Sequence, residues 1–115
     1  MEFNIVFMGT PAFAVPTLEK ISNSQLVIKQ VYSQPPKQSN RGMKIEKSPV
    51  HIFAEKNNLS IRTPEKLQDD FDFFKSLNID LVIVVAYGQI ISKEFLQLSK
   101  YGFLNIHASI LPKWR

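Results

Sequence analysis

Short apolar runs and amphipathic segments alternate along this chain of 115 residues. Residues 3–8 and 81–86 are nearly continuous apolar runs, which is typical of strands covered on both faces in a parallel sheet. Three further strands are predicted at residues 26–33, 59–62 and 103–107. Helices are predicted between them at about residues 16–23, 49–57, 64–77 and 93–98. The alternation predicts an α/β fold with a mostly parallel sheet flanked by helices.

The carboxyl ends of parallel strands meet at one edge of such a sheet, because right-handed crossovers return each strand in the same direction. Met8, Ala86 and His107 end three of the predicted strands. We therefore expect these residues to surround a single crevice. Ligands of open α/β sheets bind at this edge.

Two predicted helices begin with a cap residue followed by proline. Ser48–Pro49 and Thr63–Pro64 both fit an N-cap with proline in the first turn. The second helix carries an apolar stripe at helical spacing, which we assign to the core: Leu67, Phe71, Phe74 and Leu77. His51 has no second ligand type at metal-binding spacing, so we expect a structural histidine and no metal site.

The last predicted strand carries the candidate chemistry. Because side chains alternate along a strand, Asn105 and His107 project from one face, and Leu104 and Ile106 project from the other. An amide N–H can stabilise an oxyanion, and an imidazole can move a proton near neutral pH. The pair fits acyl transfer, and it equally fits an amide that caps the strand end beside a hydrogen-bonded core histidine.

Residues 34–47 are predicted to lack regular structure, because proline, glycine, serine and asparagine are frequent there. Lys37, Arg41, Lys44 and Lys47 face only Glu46, so the local charge is four minus one, or +3. A basic loop of this kind fits contact with a nucleic-acid backbone, and it also fits a merely solvated surface loop.

Two glycines follow predicted strands at the ligand edge. Gly9 is expected to let a ligand or a helix end approach the backbone, and Gly88 to let a flat ring approach it. The chain contains no Gly-x-Gly-x-x-Gly, so dinucleotide binding has little support. Phe13 lies near the first of these turns, where it is either part of a ligand pocket or a core aromatic.

Composition sets outer bounds on these hypotheses. A chain of 115 residues with 44% hydrophobic content fits one small domain. It has no cysteine, which excludes disulfides and thiolate metal sites. Neither a signal peptide nor a membrane-spanning run is visible, so we expect a soluble cytoplasmic protein without membrane association. The net charge of +4 permits an anionic partner such as RNA but does not require one.

A signature at the carboxyl end resembles the folate-dependent formyltransferases. It consists of Asn105, His107, Ser109, Leu111 and Pro112, followed by Lys113–Trp114–Arg115. Further segments point to one branch, the methionyl-tRNA formyltransferases: residues 7–11 with 13–16, Gln34–Pro35 with Arg41–Gly42 and residues 48–50, and residues 84–90. The resemblance covers essentially the whole chain.

The resemblance implies a Rossmann-like formyltransferase fold and transfer of a formyl group from 10-formyltetrahydrofolate to initiator methionyl-tRNA in translation initiation. Asn105 and His107 would be catalytic. The folate would bind along Tyr87, Gly88, Gln89 and Ile90 and along Ser109, Ile110, Leu111 and Pro112. Phe13 would contact the aminoacyl group, and Lys37, Arg41 and Lys44 would contact the tRNA. No metal is implied.

The resemblance reaches only the front part of the family's catalytic domain. The family's downstream aspartate and its C-terminal β-barrel have no counterpart in residues 1–115. We therefore expect part of a formyltransferase domain, from a natural truncation, a split gene or an incomplete sequence, and a monomer if the protein is complete. Two alternatives stay open: a formyltransferase for glycinamide ribonucleotide or an amino sugar, and a non-catalytic folate- or RNA-binding remnant.

Overall fold

A computed structural model describes residues 2–38 and 44–107 of the chain. Five parallel strands form its main sheet: β1 (Asn4–Gly9), β2 (Val27–Tyr32), β5 (Ile61–Arg62), β6 (Leu81–Val85) and β7 (Phe103–Asn105). Their order in the sheet is β5-β2-β1-β6-β7. The α/β prediction with a parallel sheet is confirmed, and each predicted strand is present within a few residues of its expected bounds.

Helices cover both faces of this sheet. They are α1 (Val15–Ser22), α2 (Pro49–Lys56), α3 (Phe71–Lys75) and α4 (Lys93–Leu96), with short 3₁₀ helices at Ala12–Ala14 and Leu67–Asp70. Ser48 caps α2 as predicted, because its Oγ accepts a hydrogen bond of 3.0 Å from the backbone N–H of His51. Among the described residues, no helix has the length and apolar character needed to cross a membrane.

The strands bury alternate side chains in two separate clusters. Ile5 and Phe7 pack with α1 and α2 on one face, whereas Val6 and Met8 pack with α3 and α4 on the other. Strands that are apolar on both faces are typical of a parallel sheet between two helical layers. Two-sided burial explains why the apolar runs show no polar alternation.

One helix begins later than predicted. Thr63 does not cap it. Instead the 3₁₀ turn begins at Leu67, whose backbone N–H donates a 2.8 Å hydrogen bond to the side-chain Oε1 of Gln89. The first helical N–H group is therefore satisfied by a residue 22 positions away, which no local capping pattern reveals.

Residues 34–47 contain regular structure, contrary to prediction. Strands β3 (Lys37–Gln38) and β4 (Ile45–Glu46) pair antiparallel and form the described part of a hairpin. Pro35 and Pro36 account for the extended approach to β3, since proline fixes φ and disfavours helix at the residue before it. We call these two strands, together with the adjacent Lys44, the basic hairpin.

The last strand is shorter and less buried than predicted. β7 ends at Asn105 and lies at the edge of the sheet within the described part of the chain. Leu104 is 50% exposed as a result. The alternation itself is present, because Phe103 packs on the cluster of Val6 and Ile106 packs on the cluster of Phe7.

Candidate active site

A cavity of about 590 Å³ opens at the carboxyl ends of β6 and β7. It is lined by Phe13, Val84, Ala86, Tyr87, Gly88, Gln89, Ile91, Leu96, Phe103, Asn105, Ile106 and His107. Ala86 and His107 meet there as expected. Met8 does not line the cavity, because its side chain is fully buried in the core. Phe13 lines the cavity at the place where Met8 was expected. The volume lies within the usual range of small-molecule sites.

Asn105 and His107 both line this cavity, beside β6. Parallel pairing sets Asn105 opposite Val84, and the backbone N–H of Ile106 donates to the Val84 carbonyl at 2.8 Å. Both side chains are exposed, and neither has a hydrogen-bond partner within residues 2–38 and 44–107. The placement does not support the core-histidine alternative, and it leaves an amide and an imidazole free to meet a bound molecule.

Phe13 faces the same cavity from the 3₁₀ helix that follows β1. Its side chain is 52% exposed, so Phe13 is not a core aromatic. The preceding Gly9 makes this arrangement possible. A Cβ at Gly9 would lie 2.8 Å from the Val85 carbonyl oxygen and 3.1 Å from the Cβ of Ala14. Gly9 therefore allows the helix start to pack closely on the sheet, which is one of the two roles expected for it.

The segment 86–91, which we call the cavity loop, forms one wall. It begins with Ala86 at a φ of 51° and includes Gly88 at a φ of 105°. A left-handed alanine is uncommon, and such residues are frequent at functional sites. The turn directs the chain away from β6 at the point where the cavity opens.

Tyr87 contributes backbone rather than an exposed ring to this wall. Its side chain is only 2% exposed and lies in the core, where burial raises the pKa of the phenol and keeps it protonated. The hydroxyl has no hydrogen-bond partner among the described residues. The Tyr87 carbonyl accepts a hydrogen bond of 2.6 Å from Thr10 Oγ1, which holds the loop against the end of β1.

Gly88 makes a contact that the sequence did not suggest. A Cβ at this position would lie 2.7 Å from Nε2 of Gln34, which itself donates to the Gly88 carbonyl at 2.9 Å. The space on the side of the missing Cβ is therefore occupied by the Gln34 side chain, and Gly88 also lines the cavity. Gly88 is required both for its positive φ and for this contact.

Gln89 and Ile90, predicted together as ligand contacts, point to different places. Gln89 lines the cavity, but its side-chain amide bonds Gln34, Pro64 and Leu67. Ile90 is 95% exposed and borders a separate shallow groove with Lys66. The next residue, Ile91, is the one that lines the cavity.

Two of the three predicted RNA contacts lie beside this site, on the basic hairpin. Lys37 and Lys44 are exposed. Lys37 also lines a second cavity of about 350 Å³ that includes Thr10, Gln34 and Lys47. Lys47 donates to both carboxylate oxygens of Glu55 at 3.0 Å, so part of its charge is already compensated. Arg41 and Ser109, Ile110, Leu111 and Pro112 lie outside the described residues.

Several cavity residues were not predicted from sequence. Phe103 could have been, because it lies two positions before Asn105 on the same face of the strand. Leu96 and Ile91 could not, since they reach the cavity from α4 and from the cavity loop rather than from a strand whose alternation the sequence shows. No group of three or more potential metal ligands occurs among the described residues.

A free amide and a free imidazole in the cavity at the carboxyl edge of a parallel α/β sheet fit the chemistry of acyl transfer. The family described as "Formyl transferase" matches residues 3–115, and the chain belongs to it. This confirms the predicted family and fold class.

Curated relatives indicate which kind of formyltransferase this chain is similar to. A methionyl-tRNA formyltransferase of Pelagibacter ubique is 57% identical over 118 residues, covering 100% of this chain and 38% of the relative. One of Clostridium tetani is 50% identical over 114 residues, covering 96% of this chain and 36% of the relative. The chain thus spans little more than a third of the length of these relatives.

Solved structures show the same fold at low identity. A phosphoribosylglycinamide formyltransferase of Anaplasma phagocytophilum aligns with a TM-score of 0.66 at 18% identity, covering 97% of this chain and 52% of that one. Another, of Bacillus halodurans, aligns with a TM-score of 0.64 at 14% identity, covering 95% and 58%.

Proposed function

We propose that this chain is the front part of an enzyme that transfers a formyl group from 10-formyltetrahydrofolate to the amino group of initiator methionyl-tRNA, in the cytoplasm during translation initiation. The observation that carries the proposal is the joint exposure of Asn105 and His107 in one cavity. The choice of acceptor rests on relatives named methionyl-tRNA formyltransferase at 42–57% identity. Neighbours that act on phosphoribosylglycinamide share only the fold, at 14–18% identity.

In the proposed reaction the neutral amine attacks the formyl carbon, a new C–N bond forms, and the carbonyl electron pair moves to oxygen. Asn105 would donate a hydrogen bond to that oxyanion from its side-chain N–H. His107 would take the proton from the attacking nitrogen and return one to the folate nitrogen as the bond from carbon to that nitrogen breaks. Both side chains are exposed, so each can reach a bound molecule directly.

The folate is proposed to occupy the cavity, with its flat ring beside the cavity loop. Apolar side chains from three elements line the cavity, including Ile91, Leu96 and Phe103. Such walls cover a ring while a few polar groups orient it. Because the Tyr87 ring is buried and the Gln89 amide is already bonded, we assign recognition to the backbone of the loop and to Asn105 and His107.

Adding 5-formyltetrahydrofolate to the isotope-labelled chain is expected to shift amide resonances at residues 86–91 and 105–107. The reason is that these residues border the cavity from two adjacent strand ends. The measurement is a two-dimensional amide NMR titration, in which residues 60–62 of the far strand serve as an internal control. Shifts confined to residues 35–47 would contradict folate binding in this cavity.

The tRNA is proposed to contact the basic hairpin through its phosphates. Replacing Lys37 and Lys44 together with alanine should weaken RNA binding and make the slope of log affinity against log salt shallower. Each phosphate contact contributes slightly less than one unit of that slope. Affinities are measured at several salt concentrations by fluorescence anisotropy, and Arg41→Ala is expected to act in the same direction.

Lys100→Ala is the matched control for the hairpin variants. Lys100 is exposed and precedes β7, so it lies near the amino end of this strand, whereas the cavity opens at the carboxyl end. Its loss should leave the salt slope unchanged. Equal slopes for the hairpin variants and the unaltered chain would mean that the hairpin is only a solvated segment.

A further inference from the structure

Side-chain hydrogen bonds join the cavity loop to the residue that leads into the basic hairpin. Gln34 Nε2 donates to the Gly88 carbonyl at 2.9 Å, and Gln34 Oε1 accepts from Gln89 Nε2 at 2.8 Å. The backbone N–H of Gln34 donates to Thr10 Oγ1 at 3.3 Å, and that hydroxyl donates to the Tyr87 carbonyl. Three successive residues of the cavity loop are therefore held by Gln34, directly or through Thr10.

Gln89 also connects the cavity loop to the segment that leads into α3. Its Nε2 also donates to the Pro64 carbonyl at 3.1 Å, and its Oε1 accepts from the Leu67 backbone N–H at 2.8 Å. Both N–H donors of the amide and its oxygen are thus engaged within the protein. The Gln89 side chain fixes the loop, although its position in the cavity suggested ligand contact.

Gln34 lies only three residues before the basic hairpin in the sequence. Gln34 is followed by Pro35 and Pro36, and then by Lys37, the first residue of β3. Consecutive prolines hold the backbone extended and stiff. Gln34 and β3 are therefore joined by a stiff segment of only two residues. We call the pair of side chains the Gln34–Gln89 bridge.

We propose that Gln34 and Gln89 are positioning residues that couple the basic hairpin to the cavity loop, so that an RNA held by the hairpin and a folate held in the cavity strengthen each other's binding. The identity of the two ligands rests on the proposed function. A ligand that immobilises one end of the bridge leaves less conformational freedom to be lost when the second ligand binds. Linkage requires the same factor in both directions.

The test compares the affinity of 5-formyltetrahydrofolate with and without an RNA stem-loop, and of the stem-loop with and without the folate. Four proteins are measured: the unaltered chain, Gln34→Ala, Gln89→Ala and Gln97→Ala. Gln97 is an exposed glutamine at the end of α4, outside the bridge, and is the matched control. Measurements are made at a temperature where circular dichroism shows all four folded, because ligand-linked folding would otherwise imitate coupling.

Each ligand is expected to tighten the other by roughly fivefold or more in the unaltered chain and in Gln97→Ala. The factor should fall close to one in Gln34→Ala and Gln89→Ala. A merely structural role would weaken binding of each ligand without changing this ratio. An unchanged ratio in the two bridge variants overturns the proposal, as does the absence of coupling in the unaltered chain when both ligands bind.

A ligand-free measurement separates failure of this proposal from failure of the proposed function. If either ligand fails to bind the unaltered chain, the proposed function is contradicted, and the bridge is judged by a double-mutant cycle on urea unfolding. Non-additive effects of Gln34→Ala and Gln89→Ala support an energetic connection between the two segments. Additive effects overturn it.

Discussion

Replacing His107 with alanine is expected to slow formyl transfer by roughly 10²–10⁴-fold, the usual cost of losing positioned proton transfer. Asn105→Ala should cost about 10²–10³-fold, as expected for one lost oxyanion donor. The two side chains line one cavity at the end of β7 and have no hydrogen-bond partner among the described residues, so their loss removes no side-chain hydrogen bond seen there. The effects should therefore appear in catalysis rather than in folding.

The assay requires a chain extended by the downstream segment of the Pelagibacter ubique relative, because this chain spans only 38% of that protein. Transfer is followed with charged initiator tRNA and 10-formyltetrahydrofolate. Leu104→Ala is the matched control, since Leu104 lies on the same strand, is half exposed and does not line the cavity. It should retain the rate within a few-fold. A His107→Ala variant as active as this control would mean that another group moves the proton.

The unextended chain provides a second comparison. The resemblance implies a downstream aspartate that orients His107, so little or no transfer is expected from residues 1–115. Turnover near that of the extended chain would show that this aspartate is dispensable and that the chemistry is assigned wrongly. Activity in neither chain would favour a non-catalytic folate- or RNA-binding remnant.

The strands of the main sheet could be predicted because their apolar sequences match their burial on both faces of the sheet. Residues 81–86 are apolar throughout, and β6 is covered by helices on both faces. The cavity could be anticipated for the same reason, since parallel strands place their carboxyl ends together. Asn105 and His107 followed from the alternation of a strand, which holds even though β7 is an exposed edge.

The features that could not be predicted depend on contacts between distant residues. The environment of Gly88 is set by Gln34, 54 positions earlier. The late helix start at Leu67 is set by Gln89, which follows it by 22 positions. A local pattern gives each residue's preference but not its partner, so it identified the glycine as special without revealing its contact with Gln34. The same limit applies to Tyr87, whose ring packs into the core immediately beside the cavity.

Replacing Phe74 with alanine is expected to destabilise the chain by about 3–5 kcal/mol, the usual cost of removing a buried phenylalanine. Phe74 is fully buried, and its ring lies 5.6 Å from that of Tyr32, 5.1 Å from Phe95 and 6.2 Å from Phe103, measured between centroids. Native proteins are stable by only about 5–15 kcal/mol, so this loss would remove a large part of the free energy of unfolding. Urea unfolding monitored by circular dichroism measures the difference.

Phe13→Ala also removes a phenylalanine ring, but from the rim of the cavity rather than from the core, and it is the matched control. Because Phe13 is half exposed, its loss should change the free energy of unfolding by less than about 1 kcal/mol. It should instead weaken the affinity of the cavity for its ligand, since the ring lines that space.

Phe74 packs against Phe103, two residues before Asn105, so Phe74→Ala should also increase amide exchange along β7. Equal stability losses for Phe74→Ala and Phe13→Ala would contradict the expected cost of burial, and unchanged amide exchange along β7 in Phe74→Ala would mean that the Phe74 ring does not support this strand.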